Sequence, residues 1–233
     1  MKRIKSFLNF LLVIIISVPC LAVGHGYLKY ADALEKSPLE DTVAAVYEKD
    51  NFTPISELPD VFIDAVVSVE DRRYYLHKGF DPIGTFRAIW IDIKTKSLKE
   101  GGSTITQQLA KNLYFPQDNT LERKIAEIFM ASKIEKEYSK DEILELYFNC
   151  IYYGSGYYCI YDAAMGYFGK APSQMNAYES TLLAGVPNAP SAYSPKVSLD
   201  LAHNRQEKVV STMLETEAIT EDEADEILNM QTK

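Results

Sequence analysis

The sequence predicts a mainly α-helical fold, with one helical domain behind a single N-terminal transmembrane helix. Apolar residues recur at spacings of three and four along most segments after residue 55, as one face of a helix requires. No segment alternates apolar and polar residues in the way a half-buried strand does. At 233 residues the chain can hold one substantial domain and an appendage. We therefore divide it into a cytoplasmic tip with an anchor (1–30), a tether (31–55) and a domain (56–233).

The N-terminal segment predicts a membrane anchor. Three basic residues within the first five precede an apolar run at 7–23, which is about long enough to cross a bilayer core as a helix. The small residues at 22–24 make a weak cleavage site, so we favour an uncleaved anchor over a cleaved signal peptide. The basic residues should stay in the cytoplasm, which places the chain beyond residue 31 on the outer face after a single pass.

The charge distribution argues against nucleic acid as a partner, because the formal net charge is −9. Residues 70–133 nevertheless hold 11 Lys and Arg against 8 Asp and Glu, between strongly acidic flanks. This basic island either holds an anionic ligand of limited size or is a solvated charged face, and charge alone does not choose.

The three cysteines do not have the spacing of a metal site. We expect Cys150 and Cys159 to be reduced and partly buried, although a pairing between them stays open.

Helical periodicity predicts the next elements in order. After Pro59, apolar residues from Phe62 to Val69 predict one helix. Residues 80–98 predict a second, with an apolar stripe that either faces the core or dips into the lipid surface, where nearby lysines would face headgroups. The stripe consists of Phe86, Ile89, Trp90 and Ile93, and the lysines are Lys94, Lys96 and Lys99.

Capping patterns fix the following helices. Thr104 and Gln107 form a capping-box pattern that predicts a helix over 105–114, whose first turn either binds phosphate or is merely capped. Residues 121–149 predict two helices that a second capping box, Ser139 to Glu142, separates. A glycine- and tyrosine-rich turn then enters a helix of small residues, a proline-punctuated loop covers 185–195, and two helices complete the chain.

Two groups of charged residues are candidates for a functional site. Glu70 and Asp71 lie at the predicted carboxyl end of a helix, where the backbone dipole disfavours negative charge. Arg123 and Lys124 share a helix face with Glu127, either as part of a site or as an ordinary surface ion pair.

Five segments of the chain carry charged, glycine and aromatic residues in a recognisable order, and a single arginine follows them. The segments are Glu70–Gly79, Gly101–Asn112, Arg123–Glu127, Ile151–Lys170 and Pro187–Pro195, followed by Arg205. Together they resemble the peptidoglycan glycosyltransferases (glycosyltransferase family 51), the family shared by monofunctional transglycosylases and the amino-terminal half of class A penicillin-binding proteins.

Three positions depart from the family pattern: Tyr74 stands where phenylalanine is usual, Cys159 where glycine is usual and Ser194 where asparagine or aspartate is common. We expect Cys159 to strain a turn that wants a positive φ.

The resemblance implies a lysozyme-like helical glycosyltransferase domain that polymerises lipid II on the outer face of the bacterial cytoplasmic membrane, with inversion at the anomeric carbon. The implied partners are lipid II, the growing glycan–polyprenyl diphosphate, membrane lipids and cell-wall synthesis or division proteins, and the phosphoglycolipid moenomycin is a known ligand of the family. The resemblance does not establish a cofactor. Whether Glu127 binds a divalent cation, Mg²⁺ or Mn²⁺, stays open.

The resemblance also assigns roles to residues. Glu70 is the candidate base and Glu127 the second catalytic carboxylate. The substrate-binding set is Asp71, Ser103, Gln107, Lys111, Arg123, Lys124 and Arg205, and the structural set is His77, Gly79, Gly154, Gly156 and Tyr193.

Two alternatives remain at this point. A lysozyme-like peptidoglycan hydrolase is also helical and uses carboxylates, but it has no diphosphate leaving group for the basic residues to bind. The second alternative is an inactive, membrane-anchored scaffold protein of a cell-wall assembly complex.

Overall fold

A computed structural model describes residues 2–95, 101–115 and 120–230; side chains are described from residue 11 onward, except at 12, 14, 89, 91–93 and 95. Within these ranges the chain is helical and contains no strand, which confirms the predicted mainly α fold. The helices are α1 (Lys2–Lys36), α2 (Leu39–Tyr47), α3 (Asp60–Glu70), α4 (Pro82–Thr95), α5 (Ile105–Tyr114), α6 (Leu121–Glu137), α7 (Lys140–Phe148), α8 (Ile160–Phe168), α9 (Ala177–Gly185), α10 (Pro190–Tyr193), α11 (Leu199–Glu215) and α12 (Glu221–Asn229).

Both predicted capping boxes are confirmed. At the start of α5, Thr104 Oγ1 accepts from the backbone N–H of Gln107 at 3.1 Å, and the Gln107 side chain accepts from the N–H of Thr104 at 3.0 Å. The same reciprocal pair between Ser139 and Glu142 starts α7 and separates it from α6. Each box satisfies two N–H groups that a helix start leaves unpaired.

Helices α3, α9 and α11 pack together at the centre of the domain. Phe62, Ala65 and Val66 of α3 are fully buried, as the helical spacing predicts. Helix α9 was not foreseen, although a capping box between Asn176 and Glu179 marks its start. Its last six residues are all buried, so a short helix without a polar face lies inside the core.

The predicted tether at 31–55 is wrong as a description of this segment. Helix α1 continues unbroken to Lys36, and α2 buries Leu39, Val43 and Val46 in the main core. The segment therefore belongs to the folded body. The predicted loop at 185–195 likewise contains helical turns, including α10.

A core-facing interpretation of the α4 stripe is wrong for its two described aromatic side chains. Phe86 is 70% exposed and Trp90 is 61% exposed, and the neighbouring Ile83 is 55% exposed. The side chains of Ile89 and Ile93, and residues 96–100 with two of the predicted lysines, lie outside the described set.

The second half of α1 packs against α6. Tyr27 and Tyr30 both contact the Phe129 ring, with ring centroids 5.4 and 5.8 Å apart. Gly26 lies directly against Ile125, with no space for a side chain. Among the residues searched, no helix has both the length and the apolar character needed to cross a membrane. Part of the predicted apolar run at 7–23 falls on side chains outside the described set.

Candidate functional site

Asp71 joins the end of α3 to the start of α5. Its backbone leaves the helix at φ −155° and ψ 73°. The Asp71 Oδ2 atom accepts from the N–H of Ile105 at 3.0 Å, so the carboxylate lies at the positive end of the α5 dipole. This contact explains an acidic residue at the carboxyl end of a helix, because the negative charge serves a different helix.

His77 and Gly79 fix the loop beyond this junction. His77 Nε2 donates to Asp71 Oδ2 at 2.9 Å, and His77 Nδ1 accepts from the N–H of Gly79 at 3.2 Å. Gly79 has φ +90° and lies against the backbone of Ala131, where a side chain would clash. Thr104 Oγ1 donates to the carbonyl of Gly79 at 2.7 Å, which ties the loop to the cap of α5.

Glu70 is buried, with an exposed side-chain fraction of 8%. Gln108 donates to its Oε2 at 2.8 Å, while its Oε1 has no hydrogen-bond partner among the described residues. Arg205 Nη2 lies 3.8 Å from that second oxygen. Burial raises the pKa of Glu70 above its usual value, against the opposing effects of Gln108, Arg205 and Lys111. A carboxylate with a raised pKa and a free lone pair is suited to accept a proton.

Glu127 forms a buried ion-pair cluster on α6. Its side chain is 1% exposed, and its two oxygens lie 3.0 Å from Arg123 Nε and 2.8 Å from Lys124 Nζ. Lys124 Nζ also donates to Ser103 Oγ at 2.5 Å, which links α6 to the segment before α5. The spacing along one helix face predicted these two ion pairs, whereas the Ser103 contact depends on tertiary structure.

Lys111 interacts electrostatically with both carboxylates. Burial lowers its pKa, while the carboxylates of Glu127 and Glu70 both oppose this shift and the nearby Arg123 and Lys124 reinforce it. Two acidic side chains 57 residues apart in the sequence therefore act on one ammonium group. The basic island at 70–133 supplies three of the cations around them.

Of the remaining predicted residues, some lie at the site and others hold a helix cap or a turn near it. Gln107 is 1% exposed and closes the cap of α5, so its carbonyl oxygen is engaged there. Arg205 lies over the Tyr193 ring, with its Cζ 5.8 Å from the ring centroid. Gly154 and Gly156 both have positive φ, and a side chain on Gly154 would meet the carbonyl of Pro190.

The expectation that Cys159 strains a turn is wrong. Its φ is −153°, an extended conformation open to any residue, and its sulfur accepts from the N–H of Asp162 at the start of α8. Cys150 and Cys159 are both free and at least partly buried, as predicted. Burial raises the pKa of the Cys150 thiol to about 12, so it stays protonated at neutral pH.

The other two departures have hydrogen-bond partners. Tyr74 is fully buried, and its hydroxyl donates to the carbonyl of Lys140 at 2.7 Å. Ser194 is also fully buried; it accepts from the Tyr167 hydroxyl at 2.8 Å and lies 2.6 Å from Ser155 Oγ. These contacts join the fourth and fifth segments of the resemblance.

A cleft of 260 Å³ opens beside Glu70. The end of α3 and the loop after it line one side of the cleft, and residues 101–104, α4 and α11 line the rest. Sequence reasoning missed Gln108, Arg87 and Lys208 as neighbours of Glu70 or of this cleft. Gln108 was within reach, because it follows Gln107 in the second segment, whereas the other two meet only through folding.

The residues around Glu127 do not fit a divalent cation. Arg123 Nε and Lys124 Nζ lie 3.0 and 2.8 Å from the two carboxylate oxygens, where their positive charges would repel a metal ion, although Oε1 makes no hydrogen bond to the described residues. The described part of the chain also has no group of three histidine, cysteine or acidic residues able to hold a metal. No chemical step is therefore assigned to Mg²⁺ or Mn²⁺.

Comparisons with known proteins show the family of this chain. A family model described as Transglycosylase matches residues 37–214. A predicted transglycosylase from Cupriavidus necator is 41% identical over 229 residues, which cover 97% of this chain and 96% of that protein. Penicillin-binding protein 1A from Neisseria lactamica is 44% identical over 182 residues, 78% of this chain and 23% of that protein. The chain thus spans about a quarter of such relatives. A crystal structure of penicillin-binding protein 1A from Haemophilus influenzae aligns with a TM-score of 0.46 at 24% identity, covering 76% of this chain and 17% of that one.

Proposed function

Because this chain belongs to the transglycosylase family of peptidoglycan glycosyltransferases, we propose that it polymerises lipid II into β-1,4-linked glycan and releases polyprenyl diphosphate. The observation that carries this proposal is the pair of buried carboxylates: Glu70 has a free oxygen 3.8 Å from Arg205, and Glu127 is paired with Arg123 and Lys124. A reaction with a diphosphate leaving group needs both a base and fixed positive charge.

Glu70 acts as the base in this proposal. The 4-hydroxyl of the acceptor lipid II attacks the anomeric carbon of the growing glycan, and its proton passes to a Glu70 oxygen. The new C–O bond forms as the bond to the diphosphate breaks, and the diphosphate leaves with the electron pair. Direct displacement inverts the anomeric centre, so an α-linked diphosphate gives a β-linked product.

Glu127 acts through its cations. Its ion pairs hold Arg123 and Lys124, and Lys124 also contacts Ser103. Lys111 on α5 interacts electrostatically with the same group. Cations held in place before the reaction stabilise the charge of the departing diphosphate without reorganisation. The carboxylate itself positions these groups.

We place this activity at the outer face of a bacterial cytoplasmic membrane, with α1 as a single-pass anchor whose N-terminus is cytoplasmic. The apolar run at 7–23 and the basic residues before it support this topology. The exposed aromatic residues of α4 support contact of the domain with lipid. Cell-wall synthesis or division proteins are the macromolecular partners that such an activity implies.

The test replaces Glu70 by glutamine, which keeps the shape of the side chain and removes the base. Polymerisation of lipid II by the full chain should fall at least a hundredfold, since a general base contributes about 10²–10⁴-fold. Binding of moenomycin should persist. The matched control is Glu207→Gln, which changes an exposed glutamate on α11 and should leave polymerisation unchanged.

Near-normal polymerisation by Glu70→Gln would remove Glu70 from the mechanism. Release of fragments from finished glycan by the wild-type chain, without polymer from lipid II, would instead identify a hydrolase. A wild-type chain that gives neither product would support the scaffold alternative.

A further inference from the structure

Glu70 is reached by a chain of two hydrogen bonds that starts at a buried tyrosine. The Tyr147 hydroxyl donates to Gln108 Oε1 at 3.3 Å, and Gln108 Nε2 donates to Glu70 Oε2 at 2.8 Å. The three residues lie on α7, α5 and α3, so tertiary packing brings them together. Neither Tyr147 nor Gln108 lines the cleft. These contacts therefore hold Glu70 from the side of the core.

The Tyr147 hydroxyl acts as a hydrogen-bond donor throughout the working pH range. Its side chain is fully buried. Burial raises the pKa of Tyr147 well above its usual value, and the negative charge of Glu70 raises it further. The hydroxyl thus keeps its proton when Glu70 is ionised, and this proton is available to the side-chain carbonyl of Gln108.

Tyr147 determines which end of the Gln108 amide faces Glu70. A side-chain amide has an acceptor end and a donor end of nearly the same size, and its hydrogen bonds decide between the two orientations. When Tyr147 donates to the carbonyl oxygen, the NH2 group is directed to the carboxylate. The reversed amide would place an oxygen against the Glu70 carboxylate, which is an unfavourable contact between two acceptors. The observed orientation thus favours the ionised form of Glu70.

The charged groups around Glu70 have a smaller effect on it than the amide does. Burial raises the pKa of Glu70, and the hydrogen bond from Gln108 is the largest effect that lowers it. Arg205 on α11 and Lys111 on α5 lower this pKa less, and Asp71 at the end of α3 raises it. From α7 the contribution is the neutral hydroxyl described above. The amide is therefore the main group that favours an ionised carboxylate at this buried position.

We propose that Tyr147 is a positioning residue for the glycosyl transfer: its hydroxyl orients the Gln108 amide, which donates to Glu70 Oε2 and leaves Oε1 to take the proton of the acceptor hydroxyl. The inference rests on the proposed function of Glu70. The Oε1 atom has no hydrogen-bond partner among the described residues, as this division of the two oxygens requires. Tyr147 does not contact the substrate in this account and acts only through Gln108.

The experiment follows polymerisation of lipid II by the full chain in detergent across a pH series. The test variant is Tyr147→Phe, which keeps the ring in the core and removes only the hydroxyl. The matched control is Tyr153→Phe, because Tyr153 is also fully buried but its hydroxyl has no hydrogen-bond partner among the described residues. Lys136→Met, at an exposed lysine of α6, is a surface control. Thermal unfolding of each variant verifies that it folds.

In Tyr147→Phe the acidic limb of the kcat/KM profile should move to higher pH, because the freed amide can turn its oxygen toward protonated Glu70. At a fixed pH on that limb, kcat/KM should fall about three- to tenfold, the size expected for one hydrogen bond. The plateau at higher pH should stay within about twofold of the wild type. Both controls should leave the limb in place.

A second comparison tests whether Tyr147 acts through Gln108. Gln108→Met removes both ends of the amide and should move the limb in the same direction, at least as far as Tyr147→Phe does. In the Gln108→Met background, Tyr147→Phe should add nothing, since substitutions within one hydrogen-bond network are not additive.

An acidic limb of Tyr147→Phe that coincides with that of the wild type would overturn the proposal, as would effects of the two substitutions that add. An equal loss at every pH would also overturn it, because a purely structural role lowers the plateau and leaves the limb in place. Protonation of Glu70 is also measured without substrate, from the infrared absorption of the carboxylic acid group that disappears in Glu70→Gln. If the wild-type chain makes no polymer, the proposed function fails, and this infrared titration still decides whether Tyr147 acts on Glu70.

Discussion

The ammonium group of Lys111 interacts with the carboxylates of both Glu70 and Glu127. Its positive charge lowers the pKa of Glu70, against the larger effect of burial, which raises it. Glu70 can take a proton only in its ionised form, so kcat/KM should fall as the pH falls through this pKa. Lys111 therefore extends the working range of the base toward lower pH.

Replacing Lys111 by methionine should move the acidic limb of the kcat/KM profile to higher pH. The reason is that the cation which favours ionised Glu70 is gone while the burial of Glu70 remains. The measurement is polymerisation of lipid II across a pH series, normalised to the plateau of each variant. Lys136→Met should leave the limb in place, and a limb that stays fixed or moves to lower pH in Lys111→Met would contradict this account.

Residues 70 and 71 show the limit of sequence reasoning at this scale. Local spacing places two carboxylates at the end of one helix and does not separate their roles, which only the family resemblance distinguishes. In the structure Glu70 keeps a free oxygen beside the cleft, while Asp71 pairs with His77 and the N–H of Ile105. That division depends on a contact between positions 71 and 105, which local spacing does not contain.

Helices with a local signal were predictable, and helices that depend on tertiary packing were not. The boxes at Thr104 and Ser139 involve residues three apart, so the sequence places the starts of α5 and α7. Helix α2 was mistaken for part of a tether because the segment 31–55 as a whole is mixed in composition, although three residues of α2 at helical spacing are buried against the body. Fold class and the identity of the charged cluster were within reach, whereas the cleft formed by α4 and α11 was not.

The contact between α1 and α6 makes Gly26 a sensitive position. A methyl group there would meet the Cβ and Cγ2 atoms of Ile125 and lie 3.1 Å from the carbonyl of Glu122. Gly26→Ala should lower stability by about 1–3 kcal/mol through overpacking, despite a helix propensity gain of up to ~1 kcal/mol. The measurement is thermal or denaturant unfolding of the full chain in detergent.

Gly24 is the matched control, because a methyl group at this position meets nothing within 4 Å. Gly24→Ala should be neutral or stabilising. Combining Gly26→Ala with Ile125→Ala should recover part of the loss, since the smaller side chain removes the clash. Equal effects of the two glycine variants would show that α1 does not pack closely on α6.

Because α6 carries Glu127 and its cations, a shift of α1 should also lower polymerisation.

At the scale of the whole molecule, exposed aromatic residues and a run of negative charge lie on different helices. Phe86, Trp90 and Ile83 of α4 are all more than half exposed. Helix α12 instead begins with three consecutive acidic residues. An anionic bilayer would repel α12 and accept the apolar residues of α4, so these two features favour one orientation of the domain.

Trp90 is the sole tryptophan and reports this orientation directly. When the full chain is reconstituted into liposomes, Trp90 emission should lie at a shorter wavelength than the emission of the denatured chain in buffer. Lipids with brominated acyl chains should quench it. The matched control moves the probe to α12 in the double variant Trp90→Phe, Met230→Trp, where the acidic helix should keep the ring in water and unquenched. Equal quenching at both positions, or none at Trp90, would mean that α4 does not enter the lipid. Quenching confined to Trp90 would place the entrance of the Glu70 cleft next to the lipid surface, since Arg87 lies on the same helix and lines that cleft.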